Sequence, residues 1–266
     1  MREVLFLLIL TGVGPLAYAG LVNRRTSLAH AVTWAVLAWI GWLAAWVAAA
    51  PGDQGGAARY AALSLASCPG IAVLGARWPT VAAWDLVILG MLAIMLWPLV
   101  EAAVIGREQL GTVHLVFVAA VLAVSVANYL PTRMGPAALL AGCGAATDWL
   151  TFISSLDETG HWISGACMAA APWLAYLTWP SRAGETAIDR LWLNFRDRYG
   201  LAWGQRVREQ FNRAAGNAGW PVLLSWSGLR ISSETAIEAT TAGAMLDTMQ
   251  GLLRRFVSTA AQPVDK

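Results

Sequence analysis

The chain has 266 residues, of which 58% are apolar and 13% charged, with a formal net charge of +2. Soluble domains carry about 25% charged residues and 45–50% apolar ones. The deficit of charge, with a mean hydropathy of +0.55, excludes a cytosolic enzyme and a disordered chain, and points to a membrane protein.

Apolar stretches of spanning length occur at 3–22, 27–50, 57–77, 80–105, 110–130, 136–156 and 160–179. About 20 apolar residues cross the hydrocarbon layer of a bilayer, so the chain reads as all-α, a polytopic helix bundle of about seven spans over residues 1–180. The polar breaks between stretches are short, which forces neighbouring helices to run antiparallel. Cations fix the expected orientation. With the N-terminus outside and the C-terminus inside, the inner loops carry Arg24 and Arg25, then Arg77, then Arg133, and each is net positive. The outer segments pair Arg2 with Glu3 and Arg107 with Glu108, and end on Asp157 and Glu158. A competing reading takes Met1–Gly20 as a signal peptide cleaved after Ala17-Tyr18-Ala19, but it breaks this alternation at every later loop. All cations except Lys266 are Arg, a bias expected of a GC-rich bacterial genome and so of a bacterial cytoplasmic membrane.

Residues 181–266 are different in kind, with eleven cations against eight acids. From Ile188, Trp192, Phe195, Tyr199, Trp203, Val207 and Phe211 recur at spacings of three and four, one stripe of an amphipathic helix. Gly200 is its weak point, and Gly216 to Pro221 stop it. Residues 220–231 read as a short extended segment. Thr235 with Glu238 offers a capping box for a second helix over 235–257. This is a small cytoplasmic helical domain whose core is thin without a partner surface. The stripe Trp192, Phe195, Tyr199, Trp203 and Phe211 either lies in the headgroup plane of the membrane or packs on the 235–257 helix and docks a protein partner.

Ionisable groups inside spans tend to be functional because they are costly in hydrocarbon. Glu101, His114, Asp148 and His161 stand near the outer ends of four consecutive spans, a carboxylate and histidine set suited to a divalent metal or a proton relay. His30 and Asp85 lie toward the inner side and are expected to form a packing ion pair, with each other or with Arg25 and Arg77. Trp39, Trp42 and Trp46 share one helix face, as packing or as the wall of a lipid-like ligand site. Ala138, Gly142 and Ala146 form a ridge of small residues that permits close helix approach. Cys68, Cys143 and Cys167 lie within apolar runs and behave as small apolar residues.

Familiar cofactors fail on residue counts. Retinal is excluded, since no Lys precedes Lys266, and paired haems are disfavoured, since they need four His and the chain has 3. No phosphate loop or dinucleotide fingerprint occurs, and nothing suggests nucleic acid as a partner. The lipid bilayer is the expected partner, with a cytoplasmic or membrane protein as a second. The chain therefore reads best as a membrane scaffold or assembly factor with a cytoplasmic docking domain. The alternatives are a transporter or ion-handling protein using the outer cluster, or an intramembrane enzyme.

Overall fold

The computed structural model describes residues 7, 10–48, 56–77, 80–106, 111–153, 158–179, 186–231 and 238–257. Seven helices follow the seven apolar stretches: α1 Val13–Asn23, α2 Leu28–Ala48, α3 Gly56–Leu74, α4 Val81–Ile105, α5 Thr112–Tyr129, α6 Gly135–Thr151 and α7 Glu158–Leu177. They are followed by α8 Ala187–Asn217, strands β1 Val222–Ser225 and β2 Gly228–Ile231, α9 Ala239–Leu253 and a 3-10 turn, Arg254–Phe256. The described part is thus all-α apart from one hairpin. Four helices, α2, α3, α4 from Ala82 and α5, are long and apolar enough to cross a membrane.

Burial separates their roles. The central helix is α3, packed against α2, α4, α5, α6 and α8, with Tyr60, Leu63, Ser64, Ser67 and Cys68 inaccessible. At its crossing with α5, a Cβ on Gly70 would lie 1.8 Å from Ser125 Oγ, so only hydrogen fits. On α4 the apolar residues run all round. Ile88 and Met95 point inward, while Leu86, Ile94, Val104 and Ile105 are exposed, the pattern of a helix facing lipid. The expected small-residue ridge is corrected in part. Gly142 does approach α5, where its Cβ would meet Val126 Cγ2 at 2.7 Å, but Ala146 is exposed. The tight α6–α7 contact uses Gly144, whose Cβ would lie 2.9 Å from Met168 Cγ.

The tail begins with a capping box that the sequence reading missed. Thr186 Oγ1 accepts from Asp189 N at 3.1 Å, and the Thr186 N–H donates to Asp189 Oδ2 at 3.4 Å. Asp189 Oδ1 also accepts the Leu229 N–H at 2.7 Å, which ties the helix start to the hairpin. Thr186→Ala is expected to cost about 1 kcal/mol, read as a lower unfolding midpoint of the purified protein in detergent.

At Gly200 the helix breaks, with φ 76° and ψ −165°. Asn128, at the end of α5, fills the break: its Oδ1 accepts from Ala202 N at 2.9 Å and its Nδ2 donates to Tyr199 O at 3.4 Å. A side chain inserted into the helical ladder is a recognised cause of a kink.

Two expectations for the tail change. Residues 220–231 are not a single extended segment but an antiparallel hairpin, Val222 opposite Ile231 and Ser225 opposite Gly228. The Asn212 side chain clamps β1, accepting from Leu224 N at 2.7 Å and donating to Leu224 O at 3.0 Å. The last helix starts at Ala239, with Glu238 rather than Thr235 at its N-cap and no side-chain capping bond there. Thr235 lies outside the described residues.

The aromatic stripe is buried. Trp192 and Phe211 are fully enclosed, and Phe195, Tyr199 and Trp203 nearly so. Phe256 is their hub, with ring centroids 4.8 Å from Phe195, 4.9 Å from Tyr199 and 5.1 Å from Trp203. The headgroup-plane reading of the stripe is therefore corrected, because its rings face the chain's own core.

That core is not thin, because it is shared. One apolar cluster runs from Leu28, Tyr60 and Val118 through Trp192, Met249 and Phe256. Polar contacts seal the joint. Trp203 Nε1 donates to Val73 O at 2.9 Å, Tyr129 Oη to Arg198 O at 3.0 Å, and Trp226 Nε1 to Pro131 O at 2.6 Å. Ser27 N donates to Phe256 O at 2.9 Å, and Thr26 bridges Val257.

Candidate functional site

The four residues expected to form an outer cluster separate. Asp148, on α6, is completely buried, and neither carboxylate oxygen has a hydrogen-bond partner. It faces Arg59 of α3 and lies beside Ser164 of α7, whose hydroxyl donates to Gly144 O at 2.8 Å. Arg59 is also hydrogen-bonded to His161 Nδ1, and the imidazole stacks on Trp46 with centroids 4.3 Å apart. Arg59 thus acts electrostatically on Asp148 and is hydrogen-bonded to His161. Nothing local in the sequence singled out Arg59, because α3 and α6 are not neighbours in the chain.

Glu101 instead accepts from Trp97 Nε1 at 2.9 Å on its own helix. His114 sits against Gly111, its Nδ1 buried without a partner. Among the described residues no three His, Cys, Asp or Glu side chains form a group that could hold a metal ion, so the four do not make a metal centre. His30 Nδ1 and Asp85 Oδ2 do pair, at 2.9 Å, and Trp34 Nε1 donates to the other oxygen at 3.4 Å.

The larger feature was not foreseen. Between α1, α2, α3, α5, α6 and α7 lies a cavity of about 370 Å³, within the range of small-molecule sites. Its origin is compositional. Ala31, Ala35 and Ala38 of α2, Ala138, Ala141 and Ala145 of α6, and Ala171 and Ala175 of α7 line it, and methyl groups leave space that longer side chains would fill. Trp42 and Trp46 pack among Ala62, Met168 and Ala169 in a second buried cluster. Of the three stripe tryptophans only Trp39 reaches the cavity wall. Pro69 and Pro172, inside α3 and α7, also line it.

Polar groups gather at the tail end of this space: Asn23, Tyr129, Asp197, Arg198 and Trp179. Asp197 is charge-compensated, because Arg196 donates to its Oδ1 from Nε at 2.9 Å and from Nη2 at 2.6 Å, and Arg133 N does so at 3.3 Å. Arg198 is not compensated in this way. Its Nε is buried without a partner, and its guanidinium stands 5.6 Å over the Trp179 ring. Burial pushes the Arg198 guanidinium down from its usual range, but an arginine keeps its charge in a protein. Asn23 Oδ1 is a second buried group there without a partner, while its Nδ2 donates to Ala19 O at 2.8 Å. Beside this end Tyr18 of α1 meets Tyr176 and Trp179 edge to face at 5.3 and 5.9 Å.

No known protein family, curated protein or solved structure matches the chain.

Proposed function

We propose that the chain is a seven-span protein of a bacterial cytoplasmic membrane, N-terminus outside and tail inside, whose bundle holds the hydrocarbon part of an amphiphilic molecule. The cavity carries this reading. Its walls are methyl and aromatic groups almost throughout, it lies among helices suited to lipid, and its polar groups stand at one end. An apolar chain transferred there from water gains about 0.8 kcal/mol per methylene buried. The tail supports the orientation, since it contacts Thr26 and Ser27, then Val73, then Pro131. Those positions lie at every second hinge, the same hinges that carry Arg24, Arg25, Arg77 and Arg133.

A scaffold role could not use the aromatic stripe itself as its docking face, because those rings pack inside the chain's own core. Transport through a metal held by those four residues finds no support among the described residues. Lipid handling by a helical bundle, with the tail closing the inner end, fits both observations.

The test is occupancy. The purified full chain in a non-ionic detergent is expected to bind dodecanol, measured by calorimetry. Ala141→Trp on α6 and Ala35→Trp on α2, which fill the space from different helices, are each expected to weaken binding at least ten-fold without loss of helix content. Unchanged binding in both variants would reject the cavity as the site.

A further inference from the structure

The tail end of the cavity has the wrong chemistry for a purely apolar ligand. A guanidinium stands at the polar end of a mostly apolar cavity, and among the described residues Arg198 forms no ion pair with a carboxylate. The nearest acid in sequence, Asp197, is already taken by Arg196 and the Arg133 N–H. Arg198 is half-buried and its Nε is shut off from solvent without a partner, which is costly, and the residue is held in place. The Arg198 backbone carbonyl is fixed by Tyr129 Oη at 3.0 Å, and the guanidinium is stacked on Trp179. With the guanidinium carbon over the Trp179 ring, the Arg198 Nε–H is a donor still without a partner. A guanidinium matches an oxyanion, to which arginine donates two parallel hydrogen bonds.

We infer that the amphiphile bound in the cavity carries an oxyanion headgroup, a phosphate or carboxylate, and that Arg198 is the residue that selects it. The inference rests on the cavity reading above and adds the chemical class of the ligand. The chain of such a molecule lies along the alanine-lined walls of α2, α6 and α7, and its head sits at the tail end. There a carboxylate-neutralised surface does not repel it and a fixed cation attracts it. A cationic amphiphile meets the opposite situation, since Arg198 repels it and Asp197 offers no free charge.

The experiment compares dodecyl phosphate, dodecanol, dodecyltrimethylammonium and inorganic phosphate on the full chain in non-ionic detergent. Wild type is expected to bind dodecyl phosphate at least ten-fold more tightly than dodecanol, and dodecyltrimethylammonium more weakly than either. Arg198→Gln is expected to bring dodecyl phosphate to within two-fold of dodecanol, with helix content by circular dichroism reporting that the variant is folded. Arg198→Lys retains the charge without the planar fork, and is expected to fall between.

Equal binding of dodecyl phosphate and dodecanol by wild type would overturn the headgroup inference and leave the cavity reading standing. Failure of wild type to bind dodecanol at all would overturn both. Inorganic phosphate is expected not to displace dodecyl phosphate at equal concentration. Displacement would identify a site for soluble anions and overturn the proposal.

Discussion

Gly200→Ala is expected to lower the unfolding free energy by about 2–4 kcal/mol, the sum of a backbone and a packing penalty. At φ 76° and ψ −165° the backbone occupies a region essentially reserved for glycine. Space is missing as well: a Cβ there would lie 2.2 Å from Asn128 Nδ2 and 2.6 Å from the Asn128 carbonyl oxygen. The amide could swing away, but the carbonyl belongs to the backbone of α5 and cannot. Relief therefore requires α8 to move off the bundle. Gly216→Ala is the control, because nothing lies within 4 Å of a Cβ at Gly216 and its φ is not positive. That substitution is expected to be neutral or to stabilise by up to about 1 kcal/mol. Denaturation of the two variants in the same detergent, followed by tryptophan fluorescence, checks both; similar midpoints would refute the account of the kink.

The second large effect is expected at Arg196, which is itself nearly buried. Its guanidinium compensates Asp197, donates to Trp226 O at 2.7 Å and lies 5.5 Å from the centre of the Trp226 ring. Arg196→Met removes the cation and leaves the Asp197 carboxylate 2% exposed without its ion-pair partner. Breaking a buried pair from one side typically costs about 3–5 kcal/mol. Asp197→Asn on top of Arg196→Met removes the stranded charge while keeping an oxygen for the Arg133 N–H, so the double variant is expected to recover part of the loss. The non-additivity, measured as a double-mutant cycle, separates this from simple loss of packing on Trp226. Additive losses would mean that the pair contributes little.

What was legible in the sequence follows the range of the forces involved. Spans were readable because hydrocarbon length is a local property: the stretch 80–105 becomes Val81–Ile105 and 110–130 becomes Thr112–Tyr129. The periodicity of Trp192, Phe195, Tyr199 and Trp203 correctly marked one face of a helix. It could not say what covers that face, because Val73 and Ser27 are more than a hundred residues away in the chain. The His30–Asp85 pair was within reach, as two lone polar groups expected at similar depth. The Arg59–Asp148 juxtaposition was not, since α3 and α6 are not sequential neighbours and helix rotation is set by packing. The cavity escaped for a different reason. Ala138 and Gly142 read as permission for helices to approach, and the same small residues line a void instead.

The insertion of Asn128 at Gly200 bears on how the molecule comes apart. The hydrogen bonds that bridge the break in α8 are supplied by a residue synthesised some seventy positions earlier, at the end of a membrane helix. Removing the bundle would strand the Ala202 N–H and uncover the rings of Tyr199 and Trp203, so an excised tail lacks the means to close its own longest helix. Melting is then a single cooperative event in which tail and bundle lose order together. Ribosomal order follows too: the tail is made after the bundle, so the surface that completes it precedes it in synthesis.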